Sequence, residues 1–146
     1  MGYFSSLDVS ASGMSAQRMR MDLISQNIAN ANTTRTENGG PYRRQTLLLG
    51  TDTNISFSNY LSGASKDSFG EGKVKIHGIV EDKSDFKRVY EPDNPEADEE
   101  GYVLYPNVDI VTEMVDMISA SRSYEANVTA STASKNMAMQ ALNIGR

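Results

Sequence analysis

The chain has 146 residues, which is the length of one domain. Of these, 38% are hydrophobic and 8% aromatic, which predicts a core that is thin or shared with another chain. Its 14 basic and 19 acidic side chains give a formal net charge of -5, which argues against a partner such as nucleic acid that is held by its phosphates. Cysteine is absent, which excludes disulfides, thiolate metal sites and cysteine nucleophiles.

The first residues lack the basic start and the apolar stretch of a cleavable signal peptide. No run of about 18 apolar residues is present, so the sequence predicts no membrane-spanning helix. We therefore expect the chain to stay in the cytoplasm or to leave it by a route that does not read such a signal.

The N-terminal part, about residues 6–30, repeats apolar residues at helical spacing and predicts an amphipathic helix. Two apolar sets point in roughly opposite directions, so we expect burial from two sides, one within the chain and one by another chain. The first set is Leu7, Ala11, Met14, Met21, Ile24 and Ile28, and the second is Val9, Ala16, Met19 and Leu23.

Three asparagines, Asn27, Asn30 and Asn32, stand at the end of this predicted helix. Asparagine tolerates left-handed backbone geometry and can hydrogen-bond free carbonyls, so the motif predicts a helix stop. A helix stop accounts for part of the motif, and docking against a partner accounts for the rest.

The middle of the chain holds all four prolines and eight of the eleven glycines, which leaves both flanks free to be helical. Strand-like stretches at residues 73–77 with 79–80, and at 86–90, predict a small antiparallel β region. Residues 50–72 are rich in Ser, Gly, Asn and Asp, and they predict an extended or mobile loop.

The C-terminal part, from Asn107 or Asp109 to about Ile144, has no proline and no interior glycine, and it predicts one long helix. Residues at alternating three and four spacings predict a coiled-coil seam. That seam is Ile110, Met114, Met117, Ser121, Tyr124, Val128, Ser131, Lys135, Ala138 and Leu142. A second stripe of mostly small residues predicts further packing against neighbours, and it comprises Ala126, Ala130, Ala133, Met137, Ala141 and Ile144.

Three features of the middle part contain residue types that occur in catalytic, metal or phosphate sites. The acidic residues 93–100 lack the spacing of an EF-hand, so we interpret them as a solvated loop and not as a calcium site or paired catalytic carboxylates. His77 has no second histidine or cysteine to share a metal, so we expect an ordinary surface or half-buried residue. Gly39 and Gly40 match neither a phosphate loop nor a dinucleotide fingerprint, and a tight turn suffices.

Arg43 and Arg44, with Arg35 nearby, form the basic cluster of the chain. A contact with an acidic neighbouring subunit is the preferred interpretation, and an inert solvated patch is the alternative. Five of the eight methionines lie at apolar helix positions, where methionine packs irregular gaps, so we favour core or interface use over a metal or redox role.

Several motifs together resemble those of a known family. Residues 11–18, continuing through 27–34, are similar to the N-terminal signature of the bacterial flagellar rod and hook proteins. Residues 39–44, 101–103, 106–109, 113–118 and 121–127 resemble more narrowly the proximal rod proteins of the rod protein C group.

The resemblance implies an α+β fold in which long terminal helices pair as an antiparallel coiled-coil hairpin. Residues 1–34 and 108–146 would form the two halves of that hairpin, and residues 35–107 a small, irregular, antiparallel β-rich central region.

The resemblance also implies a non-catalytic subunit of the proximal rod, the periplasmic drive shaft that surrounds the export channel and transmits torque. Its partners would be copies of itself and other rod proteins in a helical assembly, the flagellar type III export apparatus, and proteins of the inner-membrane ring or the hook-basal-body rings. It would be exported without a cleaved signal peptide and would need no cofactor, metal, nucleic acid or small-molecule substrate. A distal rod or hook protein remains the near alternative, and a small carboxylate-dependent glycan hydrolase the distant one.

Candidate assembly residues follow from the apolar patterns, the asparagine motif, the basic cluster and the matched motifs. They are Leu7, Ala11, Met14, Met19, Met21, Leu23, Asn27, Ile28, Asn30, Asn32, Arg43, Arg44, Asn107, Asp109, Met114, Met117, Ile118, Tyr124, Val128, Met137 and Leu142.

Overall fold

The described residues form two long helices, with four short strands between them in sequence. The computed structural model describes residues 3–37, 39–51 and 72–144. The elements are α1 (Tyr3–Ala29), β1 (Gln45–Thr51), β2 (Val74–Glu81), β3 (Lys87–Tyr90), β4 (Tyr102–Tyr105) and α2 (Ile110–Ile144). The predicted α+β class is confirmed. Neither of the two described helices is apolar enough along its length to cross a membrane.

The chain forms two compact units. The first comprises Met1–Met19, Leu48–Gly78 and Ala120–Arg146, and the second comprises Arg20–Leu47 and Ile79–Ser119. The division therefore passes through both helices and through β1 and β2.

Helix α1 ends where the asparagine motif predicts. The Asn30 side-chain amide donates to the carbonyl of Gln26 at 2.9 Å, and the Thr33 hydroxyl donates to Asn30 Oδ1 at 3.2 Å. The Gln26 carbonyl also accepts from the Asn30 backbone amide at 3.0 Å and is not free, so the predicted satisfaction of free carbonyls stays a prediction. The prediction of left-handed backbone geometry at these asparagines is wrong, because no described residue other than glycine has a positive φ. Backbone turns follow the helix, with the Ala31 amide donating to the Ile28 carbonyl at 3.2 Å and the Thr33 amide to the Asn30 carbonyl at 3.0 Å.

Helix α2 begins with a side-chain cap. Asp109 Oδ1 accepts from the amide of Val111 at 3.1 Å, and Asp109 Oδ2 accepts from the Thr112 hydroxyl at 3.3 Å. A carboxylate at this position satisfies free amides and suits the positive end of the helix dipole. From that cap the helix continues for 35 residues, as the absence of proline and glycine predicts.

The side of α2 that the rest of the chain covers coincides with only part of the predicted seam. Buried or half-buried residues recur along it at spacings of four and three, at Glu113, Met117, Ala120, Tyr124, Asn127, Ser131, Ser134 and Ala138. The predicted seam positions 117, 124, 131 and 138 belong to this line. Ile110, Met114, Val128 and Leu142 are exposed within the chain, so their place in a coiled-coil seam stays a prediction. Polar and small residues occupy the line instead, and hydrophobic periodicity does not detect them.

The strands form two small sheets, β1 with β2 and β3 with β4. Strands β3 and β4 are antiparallel, with Lys87 opposite Tyr105 and Tyr90 opposite Tyr102. At the other sheet, the amide of Asp82 donates to the carbonyl of Arg44 at 2.8 Å. The predictions of β2 and β3 are confirmed within a few residues, whereas β1 and β4 were not predicted. The predicted loop at residues 50–72 falls mostly on residues 52–71, outside the described residues.

The described core is thin and made of small or medium-sized side chains. Its buried apolar residues are Ala16, Leu23, Ile24, Ala31, Val103, Val108 and Ala120. Glu113 and Asn27 are among the largest fully buried side chains. A core in which a carboxylate and an amide take such positions depends on hydrogen bonding between them.

Candidate assembly site

Four polar side chains of the second unit form what we call the buried polar cluster: Asn27, Tyr42, Arg44 and Glu113. Asn27 lies near the end of α1, Tyr42 and Arg44 lie in the segment leading into β1, and Glu113 lies in the first turn of α2. Asn27 is 1% and Glu113 0% exposed. The cluster thus joins three separate parts of the chain within one unit.

Asn27 uses both ends of its amide. Its nitrogen donates to the Gln45 carbonyl at 2.9 Å and to Glu113 Oε2 at 3.1 Å. Its oxygen accepts from the Tyr42 hydroxyl and from the Gln45 amide, both at 3.0 Å. A single side chain therefore replaces a strand partner for Gln45 and satisfies the start of β1.

Glu113 is paired with Arg44, whose Nε donates to Glu113 Oε1 at 2.6 Å. The same guanidinium reaches Asp116 at 3.4 Å, and Asp116 in turn accepts from Arg20 of α1 at 3.4 Å. A buried carboxylate is tolerated only where hydrogen bonds and an opposite charge offset its lost hydration. Both are supplied here.

The Tyr42 hydroxyl is held in its protonated form. Burial raises its pKa above the ordinary 10.0, and the negative charges of Glu113 and Glu81 raise the pKa further. Tyr42 therefore stays protonated, and a donor to Asn27, to a higher pH than an ordinary tyrosine.

Asn107 holds the segment before α2 against the segment before β1. Its Oδ1 accepts from the Arg44 amide at 2.8 Å, and its Nδ2 donates to the Asp82 carbonyl at 3.1 Å and to Ser84 Oγ at 2.8 Å. Hydrogen bonds from the backbone and side chain of Ser84 lower the pKa of Asp82. Asn107 was predicted as an assembly residue, and in the structure it orders its own chain.

The two basic residues of the predicted cluster have different surroundings. Arg44 belongs to the buried polar cluster, whereas Arg43 lies over the Phe86 ring at 4.3 Å and donates to the Asp82 carbonyl at 3.3 Å. Both make contacts within the chain and both are half-buried. Their contact with an acidic neighbouring subunit stays a prediction.

The candidate residues of α1 and its end divide by burial. Leu23 and Asn27 are buried, and those that are half-buried are Leu7, Met14, Met21, Ile28 and Asn30. Ala11, Met19 and Asn32 are exposed. Neither predicted apolar set is covered throughout, and each set has members that other parts of the chain leave in solvent.

The candidate residues of α2 lie mainly in solvent. Met117 and Tyr124 are half-buried, while Asp109 and the apolar Met114, Ile118, Val128, Met137 and Leu142 are exposed. Met114 is 53% and Leu142 76% exposed. We call the exposed apolar residues of the first turns, Ile110, Val111, Met114, Val115 and Ile118, the outer face of α2. Large apolar side chains that recur along one helix in solvent are typical of an interaction surface.

Glu113 and Tyr42 were not among the predicted assembly residues. Glu113 entered only as part of the matched motif at residues 113–118, because an acidic residue near a helix start is common on surfaces and suits the helix dipole. A signal was present, since Glu113 lies four residues before Met117 and seven before Ala120 on one face.

The acidic loop, His77 and the two glycines of the middle part lie in ordinary loop, strand and turn positions. Asp98 Oδ1 accepts from the Glu100 and Tyr102 amides, and Arg88 pairs with Asp98 at 3.7 Å in an exposed acidic loop. His77 is exposed on β2, and Gly39 and Gly40 form a turn with φ of 78° and 85°. Within the described residues, no group of three or more histidine, cysteine or acidic side chains is placed to hold a metal.

Comparison with known proteins identifies the family. A family model described as "Flagella basal body rod protein" matches residues 7–35, and one described as "Flagellar basal body rod FlgEFG protein C-terminal" matches residues 99–144. The flagellar basal-body rod protein FlgC of Bacillus subtilis is 51% identical, with 98% of each chain covered. That of Borreliella burgdorferi is 46% identical over 99% of this chain and 98% of its own, and that of Aquifex aeolicus is 40% identical over 94% and 92%. The chain belongs to the flagellar basal-body rod protein family, in its FlgC group.

Proposed function

We propose that this chain is a structural subunit of the proximal rod that polymerises helically through its terminal helices. The assembly forms the periplasmic drive shaft, surrounds the export channel and transmits torque by its stiffness. The full-length similarity to FlgC proteins carries this proposal. The outer face of α2 supports it, because an exposed apolar helix face needs a partner.

The terminal helices pair as an antiparallel coiled-coil hairpin in this proposal. Within the first unit, a Cβ added at Gly13 would meet the Asn127 side chain at 3.1 Å. Within the second unit, Asn27 donates to Glu113. Position 13 corresponds to 127, and position 27 to 113, so residue numbers rise along α1 as they fall along α2. That order is the one an antiparallel pair requires.

Residues 1–34 and 108–146 form the core of the assembly, and residues 35–107 lie further from its axis. Copies of this chain and other rod proteins are the primary partners. Export through the flagellar type III apparatus without a cleaved signal, and contacts with the inner-membrane ring or hook-basal-body ring proteins, complete the proposed surroundings. The role is mechanical, so it calls for no catalytic residue and no cofactor.

Another axial subunit, of the distal rod or the hook, is the second candidate. The match of residues 99–144 to the C-terminal model named for FlgEFG proteins favours it. The FlgC relatives cover nearly the whole chain and favour the proximal rod.

Met114→Asp tests the proposal. Met114 is exposed within the chain, so the free energy of unfolding of the purified chain should stay within about 0.5 kcal/mol of the original. In the assembly the same carboxylate would be buried without a partner, so basal bodies isolated from cells carrying the variant should lack complete rods by electron microscopy.

Lys83→Asp, at an exposed position of the central region, is the matched control and should leave rods intact. Complete rods in the Met114→Asp strain would contradict a role for the outer face in assembly.

A further inference from the structure

The face that α2 turns toward its own chain is not its most apolar one. At the second unit the covered position is Glu113, while its neighbour Met114 is exposed, together with Ile110 and Ile118. Turning the helix by one residue, or about 100°, would cover Met114 and release Glu113 into water. Burial of apolar surface alone favours that turned arrangement.

Polar contacts oppose the turn. Glu113 Oε1 accepts from Arg44 at 2.6 Å and Oε2 accepts from Asn27 at 3.1 Å, so both carboxylate oxygens are engaged from different parts of the chain. Both partners are themselves fixed. Asn27 is held by Tyr42 and by the Gln45 backbone, and the Arg44 amide is held by Asn107.

We propose that Arg44 and Asn27 are positioning residues that select the face of α2 turned toward the chain. By holding Glu113 inward they keep the apolar outer face, centred on Met114, in solvent. Specificity of this kind is a recognised use of buried polar groups, which define one arrangement where apolar packing permits several. The selection operates in the single chain and does not depend on the proposed rod function.

The test measures which side of α2 is accessible. The chain has no cysteine, so a single cysteine at position 114 or 117 reports labelling by a thiol reagent without interference. Met114 is exposed and Met117 half-buried. With the cluster intact, Met114→Cys should therefore label about threefold faster than Met117→Cys in the unassembled chain.

The decisive variant removes the partners of Glu113 but keeps the carboxylate. In Asn27→Leu with Arg44→Met, an unpaired charge would remain inside, so α2 should turn to expose it. The order of labelling should then reverse, with position 117 about threefold faster than position 114. Arg43→Met is the matched control, because Arg43 contacts Phe86 and Asp82, whereas Arg44 contacts Glu113. This variant should leave the order unchanged.

Adding Glu113→Leu to the double variant supplies the rescue. Asn27, Arg44 and Glu113 are then all replaced by apolar side chains, no charge needs release, and the original order of labelling should return. Circular dichroism of each variant shows whether α2 remains helical. Retention of the original order in the double variant would overturn the proposal. Equal and rapid labelling at both positions would also overturn it, because the cluster would then attach the helix without selecting its face.

Discussion

Glu113 accepts from Arg44 and Asn27 through different oxygens while its side chain is almost fully removed from solvent. Removing this carboxylate takes one acceptor from the Arg44 guanidinium, which keeps Asp116 at 3.4 Å, and one from the Asn27 amide, which keeps the Gln45 carbonyl at 2.9 Å. The cost of breaking a buried pair on one side exceeds the net contribution of the intact pair, because the remaining group keeps its desolvation penalty.

Glu113→Ala should therefore lower the free energy of unfolding by about 1 to 3 kcal/mol, measured by urea denaturation. Glu125→Ala makes the same chemical change on an exposed part of α2 and should cost less than about 0.5 kcal/mol. Equal losses in the two variants would contradict the importance of the buried pair.

Tyr42 makes stability depend on pH in the alkaline range. Its pKa is raised in the folded chain, so folding favours the protonated hydroxyl, and this contribution is complete below the unfolded pKa of 10.0. As the pH rises above 10.0 the unfolded state loses the proton first, and the free energy of unfolding should fall.

Tyr42→Phe should be less stable at neutral pH, because the bond to Asn27 is lost, and should show a shallower decline above pH 10.0. Unfolding measured across neutral and alkaline pH provides the check. Tyr90→Phe, at an exposed tyrosine, serves as the control. A decline as steep in Tyr42→Phe as in the original chain would rule Tyr42 out as its source.

At the scale of the elements, Gly13 is where α1 passes close to another helix in the first unit. An added Cβ would lie 3.1 to 3.2 Å from three atoms of the Asn127 side chain. Asn127 has limited freedom to move, since its Nδ2 donates to the Ser123 carbonyl at 2.9 Å. Glycine is costly inside a helix, and its presence here is explained by this approach.

Gly13→Leu should destabilise the chain by about 1 to 3 kcal/mol despite the better helix propensity of leucine, as measured by thermal or urea unfolding. Ala11→Leu, two residues earlier at an exposed position, should be close to neutral. Combining Gly13→Leu with Asn127→Ala should recover part of the loss, because the two side chains compete for one space. Additive effects would contradict that contact.

The two helices were predictable because their limits have strong local signals. Asp109 caps the start of α2, and Asn30 follows the last residue of α1. Neither helix contains proline. The rotation of α2 was not predictable, because polar Glu113 and Asn127 lie on its covered line while apolar Met114 and Val128 do not. Partners distant in sequence, such as Arg44, decide that choice.

Strands β1 and β4 show a second limit of local pattern. The three leucines of β1, Leu47, Leu48 and Leu49, are consecutive and lack the alternation that identifies a half-buried strand. Strand β4 has only four residues, and its existence depends on pairing with β3. Arg44 was predicted as part of the assembly site from its basic charge, but its contact with Glu113 depends on tertiary structure.

At the scale of the whole molecule, the described chain leaves many large apolar side chains in solvent. The outer face of α2 includes Val111, Val115 and Ile118, which are 70%, 62% and 55% exposed. Exposure of this extent favours association of the purified chain.

We expect the purified chain to self-associate with increasing concentration in sedimentation experiments. Replacing Val111, Val115 and Ile118 together by glutamine should suppress association while leaving the circular dichroism spectrum unchanged. Glutamine at Ile79 and Val80, which are exposed on β2, is the matched control and should not suppress it. Undiminished association of the α2 variant would exclude the outer face as the main contact.

The composition of the last part of α2 determines how contacts made there respond to salt and temperature. Between residues 126 and 144 the sequence carries one charge, Lys135, while Val128, Met137, Met139 and Leu142 are exposed. Contacts made by such a surface have almost no electrostatic component for salt to screen. They derive from the hydrophobic effect, which weakens on cooling. Association through this segment should therefore vary little with ionic strength and loosen in the cold.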